Sequence, residues 1–376
     1  MLPQRRCPRR ANRTASAAAV WSRDMLAMPV VWDERCRLHD PAGEVFVGVR
    51  TPGTEVRGRL DAITTALSDA RLVAAEPHDD EVLLAVHDAA LVDFLSAAWE
   101  NWDASRVRAD PGQDRVVPYV FAHVGLASRP LAIPAAVWAR TGHFAYDTMT
   151  LIGPGTWEAA RAAIDVALTA ADLVASGAQH AYACCRPPGH HACRSCFGGS
   201  CYLNNASVAA ESLARRGAKV AVLDIDAHHG NGTQEVFWER DEVLVASVHV
   251  DPGAGWFPHF LGFGEEKGSG RGAGANLNMT VPPGSGDETW LQAVKQIVGW
   301  AQEAGAEALV VPLGVDAAAG DPESPLRVTA AGFREAGRIL GTLGLPTVLV
   351  QEGGYLSDDL GRNLVQFLSG FESGRL

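Results

Sequence analysis

The chain has 376 residues, 47% hydrophobic and 20% charged, which suits one large α/β domain and excludes a disordered polymer. No apolar run reaches the roughly 20 residues of a membrane-spanning helix. The net charge of −12 repels nucleic-acid phosphates and attracts cationic small molecules. The expected partner is therefore a small molecule, with neither nucleic acid nor membrane involved.

In chain order, residues 1–27 stand apart. Arg5, Arg6, Arg9, Arg10, Arg13 and Arg23 face a single acid, Asp24, and no apolar stretch of a secretory signal follows. This extension is expected to carry no chemistry, with the folded domain spanning 28–376 and Met25 or Met28 as the working start. Lys219, Lys267 and Lys295 are the only lysines. With the abundance of alanine, this reflects genomic base composition more than function.

From there helices and strands alternate. Ala-rich amphipathic stretches at 156–176, 205–216, 287–304 and 329–343 predict helices. Short apolar runs at Ala181–Cys185, Lys219–Ile225, Val243–Val248, Ala308–Val315 and Pro346–Val350 predict strands buried on both faces. The alternation predicts a three-layer α/β sandwich around a central, mainly parallel sheet. Ligands of such sheets bind beyond the carboxyl ends of the strands, where the polar motifs fall.

The first motif, Arg186-Pro-Pro-Gly-His-His-Ala192, closes the first run. The prolines stiffen the loop, and Gly189 permits close approach of a substrate. Adjacent histidines diverge along an extended chain, so His190 and His191 suit acid–base work better than joint ligation of one metal. The seven cysteines are odd in number and crowd between Cys184 and Cys201, which points to a reduced cytoplasm. Cys193-x-x-Cys196 lacks the second pair of a zinc ribbon and reads as two ordinary thiols, with a redox pair as the other reading.

Val222-Leu-Asp-Ile-Asp-Ala-His-His-Gly-Asn-Gly-Thr233 is the most specific signal. Strand alternation points Asp224, Asp226 and His228 to one side. Such a set is costly to bury without a cation, and one imidazole with carboxylates suits a divalent transition metal. A solvated turn before a helix is the plainer reading, which the apolar Leu223 and Ile225 disfavour. Leu313-Gly-Val-Asp316 adds an acid at another strand end, where it could instead cap a helix. In Glu352-Gly-Gly-Tyr355 the glycines let a tyrosine hydroxyl face the mouth of the sheet, although a core tyrosine would also fit.

Taken together and in this order, the four motifs resemble the arginase-fold zinc deacetylases, the histone deacetylase and acetylpolyamine amidohydrolase family. The resemblance runs from Met28 to the C-terminus and is dense from Thr156 onward. Thr156-Trp-Glu-Ala-Ala160, His249-Val-Asp-Pro252 and Trp256-Phe-Pro-His-Phe-Leu-Gly-Phe-Gly-Glu-Glu266 resemble the bacterial acetylpolyamine amidohydrolases in particular.

The resemblance implies one Zn2+ held by Asp226, His228 and Asp316, with a coordination position left for water and the acyl carbonyl. An oxygen-rich set with one imidazole also suits ferrous iron or cobalt. It pairs His190 with Asp224 and His191 with Asn231. His191 is thereby implied as the base that deprotonates the attacking water and later protonates the leaving amine. Tyr355 is implied as the donor to the oxyanion. The resemblance also implies structural K+, held by Asp224, Ser247 and the carbonyls of Asp226, His228 and Val248. A second K+ would lie near Phe237, Arg240 and Val243.

Phe257 and Gly199 are implied in the substrate tunnel. Ser200 stands where relatives often carry an aromatic wall, so the tunnel is expected to be wider or wetter. Residues 102–142 match the family poorly and are expected to form a rim loop. Glu323, seven residues after Asp316, is implied as a gatekeeper for cationic amines, with Asp147 as a second acid at the rim. The expected activity is deacylation of N-acetylated polyamines or similar small cationic amines. An acyl-lysine protein deacetylase, a non-catalytic acyl-amine binder and a two-metal ureohydrolase are the rivals. The chain is expected to be cytoplasmic, with a homodimer or a higher homo-oligomer as its possible assembly.

Overall fold

The structure, a computed structural model, describes residues 26–375. The extension expected over 1–27 thus lies outside the described residues up to residue 25. Ten strands occur in the described chain: β1 (Pro29–Trp32), β2 (Glu44–Phe46), β3 (Val49–Thr51), β4 (Arg71–Ala74), β5 (His180–Ala183), β6 (Val220–Asp224), β7 (Val243–Val250), β8 (Asn276–Val281), β9 (Ala308–Leu313) and β10 (Thr347–Gln351). Eight of them make one sheet in the order β4-β1-β5-β10-β9-β6-β7-β8, and β2 and β3 form a separate hairpin.

Every pairing within the large sheet is parallel. All residues of β6, β7, β9 and β10 are buried, as unbroken runs such as Ala308-Leu-Val-Val-Pro-Leu313 require. Two groups of helices complete the sandwich. Thr156–Ala175 and Asn205–Ala214 pack on each other and on the sheet. Asp287–Glu303, Ala330–Gly341 and Leu360–Gly374 form the second group. The expected α/β architecture and parallel sheet hold, and the four expected helices end within two residues of their predicted bounds.

Four sheet elements were absent from the sequence reading: β1, β4, β8 and the β2–β3 hairpin. Strand β8 escapes because Asn276 and Asn278 interrupt its apolar pattern. Both are buried, with each amide donating to Gln234 Oε1 at 2.9 Å. Edge strand β4 is mostly exposed, so it lacks the double-sided burial that makes a strand conspicuous.

Because all strands of the sheet are parallel, their carboxyl ends share one edge. β5, β10, β9 and β6 are consecutive there, and each hands its chain to one of the four motifs.

Candidate active site

Strand β6 ends at Asp224, and the Asp226 N–H closes back on Asp224 Oδ1 at 3.0 Å. This turn separates the acids that strand alternation had put on one side. Asp226 and His228 swing toward Asp316, whereas Asp224 faces His190. Ligand atoms of Asp226, His228 and Asp316 all lie within 4.8 Å of one another. His228 Nδ1 is 2.9 Å from Asp316 Oδ2 and 3.5 Å from Asp226 Oδ1. Backbone amides fix both carboxylates: Gly353 N–H donates to Asp226 Oδ2 at 2.8 Å, and Ala227 N–H to Asp316 Oδ1 at 2.9 Å. A Cβ on Gly353 would lie 2.6 Å from Asp316 Oδ2, so only glycine lets the β10 loop approach this closely.

Among the described residues, no arginine or lysine pairs with Asp226 or Asp316. Burial and the neighbouring Asp226 charge raise the Asp316 carboxyl to about 6. Burial disfavours charge on His228, yet the Asp226 and Asp316 carboxylates outweigh it and raise the imidazole to about 10. Two buried acids thus compete for one proton-bearing ring, a donor set that a divalent cation neutralises. His190, Cys201 and Glu352 form a second close group. Burial pushes the Cys201 thiol well up, and Glu352 Oε2 is occupied by the N–H groups of Gly189 (2.6 Å) and His190 (3.0 Å). That group lacks a thiolate to offer.

The two histidine rings lie 4.0 Å apart between centres, tilted by 44°, but differ in charge. His190 Nδ1 lies 2.9 Å from Asp224 Oδ2. Burial opposes its protonation, but Asp226 and Asp224 outweigh this and hold it at about 10. His191 Nδ1 meets Asn231 Oδ1 at 2.8 Å. Burial, then the charges of His190 and His228, push His191 well down, so it stays neutral. Because the asparagine oxygen can only accept, Nδ1 carries the hydrogen and Nε2 keeps its lone pair.

Tyr355 sits on the loop after β10, its N–H donating to Asp321 Oδ2 at 2.6 Å. Burial raises its phenol well above the usual value, so it remains a donor.

A pocket of about 450 Å³ of non-atom space, open solvent at its mouth included, reaches this cluster. His191, His228 and Tyr355 line its inner end. Gly199, Ser200, Phe257 and Glu323 line it, joined by Glu44, Thr54 and Met149. Phe257 stands edge-on to His191 at 4.8 Å and stacks against Tyr146 at 6.1 Å. Gly199 adopts φ +59, where a Cβ would strike the His191 ring.

Asp147 and residues 102–142, expected at the rim, are not among the lining residues. The Asp147 carboxylate accepts from the N–H groups of Gly199 (2.6 Å), Thr150 (2.8 Å) and Met149 (2.9 Å), so it braces the Gly199–Ser200 wall instead. Residues 102–142 contribute no lining residue, whereas Glu44 of the β2–β3 hairpin does. Asp224 and Ser247 are cross-strand partners, with Ser247 Oγ 2.8 Å from His249 Nδ1.

Residues 54–371 match the histone deacetylase domain. The chain belongs to the histone deacetylase family. It is a deacetylase, a hydrolase of amide C–N bonds. It is 38% identical to an acetylpolyamine amidohydrolase of Mycoplana ramosa over 91% of this chain and 99% of that one. Acetylpolyamine amidohydrolase 1 of Pseudomonas aeruginosa is 39% identical over 91% of this chain and 98% of its own length. The crystal structure of the acetylpolyamine aminohydrolase from Burkholderia pseudomallei superposes with a TM-score of 0.87 at 36% identity, covering 93% of this deacetylase and 99% of that chain.

Sequence reasoning missed the support beneath these motifs. The buried Glu55 carboxylate meets Arg59 Nη1 and Arg186 Nη2, each at 2.9 Å. Arg59 in turn donates to the carbonyls of Gly354 (2.5 Å) and Glu352 (2.6 Å) and lies 4.7 Å over the Tyr355 ring. Arg186 opens the His190–His191 loop. One buried acid therefore ties the Tyr355 loop to the His190–His191 loop of this deacetylase. The usable signal was Arg186 itself, an arginine ending a buried strand, which demands an acid from elsewhere.

Proposed function

We propose that this deacetylase removes acetyl groups from small cationic amines, acetylated polyamines foremost, with one zinc ion held by Asp226, His228 and Asp316. One observation carries the reading. The pocket that ends on His191, His228 and Tyr355 is lined by two glutamates, Glu44 and Glu323, and by no arginine or lysine among the described residues. Such a lining favours a protonated amine and disfavours an acid. The relatives named acetylpolyamine amidohydrolases support the same substrate class.

Zinc, when bound, supplies Lewis acidity toward the acyl carbonyl and the attacking water. His191 takes the proton of that water at Nε2 and returns it to the leaving nitrogen. Asn231 holds the productive tautomer. His190, kept charged by Asp224, adds positive potential where negative charge develops. Tyr355 donates its hydroxyl hydrogen to the oxyanion, and Phe257 excludes water from the amine's methylenes. A structural potassium ion near Asp224 and Ser247 belongs to this reading, supported by their cross-strand pairing. So does a second near Phe237, Arg240 and Val243. The free thiols of Cys36, Cys184, Cys185, Cys193, Cys196 and Cys201 support a cytoplasmic setting.

The test is kcat/KM on acetylputrescine, acetylspermidine and an acetyl-lysine peptide, with metal analysis of the same preparation. One zinc per chain and an advantage of at least about tenfold for the polyamines are expected, roughly 1.4 kcal/mol. Preference for the peptide would replace the reading with a protein deacetylase. Two metals per chain, or binding without turnover, would point to the ureohydrolase-like or binder rivals.

A further inference from the structure

Beside His191 lies a pair of thiols that the proposed chemistry leaves unused. Cys193 and Cys196 belong to the loop between His191 and Gly199. The Cys193 N–H donates to the Cys196 carbonyl at 2.9 Å. With ordinary bond lengths, that contact limits the separation of the two α-carbons to about 6.8 Å, the upper end of what a disulfide spans. The side chains meet as well, since the two thiols hydrogen-bond to each other.

Their surroundings differ. Cys193 is 9% exposed, and Cys196 is half-buried. The hydrogen bond from Cys193 holds the Cys196 thiol below its usual value, against burial and the Glu235 carboxylate. The same bond, with burial, pushes Cys193 well up. An accessible thiol that ionises readily, backed by a buried one, is the arrangement of an attacking cysteine and its resolving partner. Cys36, Cys184, Cys185 and Cys201 are buried, and burial pushes each of these thiols up, so they compete poorly for an oxidant.

Cys193 also touches the side chain that orients His191. The Asn231 amide oxygen meets His191 Nδ1 at 2.8 Å, and its nitrogen has two hydrogens to place. That nitrogen lies 3.5 Å from Tyr146 Oη and 3.8 Å from Cys193 Sγ. Two acceptors on the nitrogen side keep the oxygen turned toward His191. Tyr146 is itself fixed, donating to the His191 carbonyl at 3.0 Å. The Cys193 sulfur is therefore one of two groups that set which end of the amide His191 meets.

We propose that Cys193 and Cys196 are a modification site, which a small-molecule disulfide closes into a reversible protein disulfide, and that closure slows turnover by releasing the Asn231 amide. The effect on turnover rests on the reading of His191 as the base, whereas the disulfide does not. The Cys196 thiolate attacks one sulfur of the small disulfide and expels a thiolate, leaving a mixed disulfide. Cys193 loses its proton to solvent, attacks the Cys196 sulfur and expels the second thiolate. Two protein thiols are oxidised to one disulfide, and one small disulfide is reduced to two thiols. Closure draws Cys193 Sγ in to Cys196 and leaves the Asn231 nitrogen with Tyr146 Oη as its acceptor. Excess small thiol reverses both steps.

The test treats the zinc-loaded full chain with oxidised glutathione and follows free thiols, zinc content and turnover of an acetylated amine. Loss of two thiols with no glutathione retained is expected, with kcat down at least about tenfold, KM and zinc unchanged, and recovery in dithiothreitol. Trypsin cuts after Arg194, so the linkage leaves two joined peptides, which must be absent in Cys196→Ser. That variant should start with wild-type kcat and keep it in the oxidant. Cys193→Ser should instead retain one glutathione, on Cys196. No joined peptides, a join through Cys201, or inhibition that persists in Cys196→Ser would overturn the proposal, as would a disulfide that leaves kcat unchanged. Failure to hydrolyse any acetylated amine would count against the proposed function, while the thiol count and the joined peptides still decide the pair.

Discussion

The inner end of the pocket hangs on four adjacent strand ends, whereas its outer wall hangs on a small hairpin and irregular chain. At the inner end His190, His191, Asp224, Asp226 and Asp316 are each at most 5% exposed, and backbone amides of neighbouring loops hold several of their carboxylates. On the wall, Thr54, Met149, Ser200 and Glu323 are all half-buried. On the proposed function, the difference separates two tasks. Groups that would meet a reacting atom within a few tenths of an ångström sit on the rigid sheet, and groups that would sort substrates sit where side chains can vary without disturbing it. Substitutions at the inner end should therefore hurt every substrate alike, and substitutions on the wall should change preference.

The largest effects are expected at the Asp226–His228–Asp316 cluster. His228→Ala and Asp316→Ala should each lose most bound zinc and fall to background turnover on polyamine and peptide substrates, with the circular dichroism of the fold retained. Full zinc retention in His228→Ala would remove that residue from the ligand set. Tyr355→Phe comes next. A drop of roughly 10²–10³ in kcat, equal across substrates and with zinc content unchanged, is expected for one lost oxyanion donor. A loss confined to one substrate would make Tyr355 part of the wall.

Glu55 tests how the two ends are joined. Burial pushes its carboxyl up, but Arg186, His39 and Arg59 outweigh this and hold it at about 2, against an ordinary value near 4.5. A carboxyl depressed by folding adds stability that is fully present above about 4.5 and lost as pH falls toward 2. Glu55→Gln should cost on the order of 3 kcal/mol near neutral pH, leaving two buried guanidiniums with a neutral partner. The gap in urea midpoint between wild type and variant should narrow as pH drops below about 4.5. A gap unchanged from pH 7 to pH 3 would show that Glu55 acts by packing alone.

How legible each end was in the sequence follows from the same division. Strands β5, β6, β7, β9 and β10 announce themselves because burial on both faces demands unbroken apolar runs, and the motifs at their ends are polar interruptions of those runs. Asp226, His228, His190 and His191 stood out from that contrast, whereas Asp316 joined them only through the family resemblance. The direction of Asp224 could not, since the Asp226 N–H bond that turns the chain after β6 leaves no trace in the spacing. The wall was less legible. Glu44, Thr54 and Met149 lie in segments without periodicity, and they reach the pocket only because the hairpin folds beside the sheet edge. Asp147 shows the opposite failure. An acid near an aromatic segment reads as a rim charge, but its three backbone partners make it a brace for Gly199 and Ser200. Glu55 was invisible for a related reason, as an acid in a Gly-Pro-rich stretch gives no sign of two arginines arriving from elsewhere.

The smallest and most discriminating effect is expected at Glu323. Asp316 fixes one end of its loop beside Asp226 and His228, and Asp321 ties the middle to Tyr355 while accepting from the Glu323 N–H at 2.9 Å. The side chain lines the pocket that ends on Tyr355. Its carboxylate is thus carried by a loop braced at two points, yet stays half-buried at the wall. At such a boundary the effective dielectric is far above that of the deep interior, so attraction for a protonated amine amounts to a kcal/mol or two rather than many. Glu323→Leu should accordingly lower kcat/KM for acetylspermidine at least about tenfold, roughly 1.4 kcal/mol, and spare a neutral acyl-amide of similar length. Added salt should shrink the wild-type advantage for the polyamine by screening this partly exposed charge, and should leave the variant nearly unaffected. Equal losses on both substrates would assign Glu323 to holding the Tyr355 loop. No loss on either would leave charge selection to Glu44 alone.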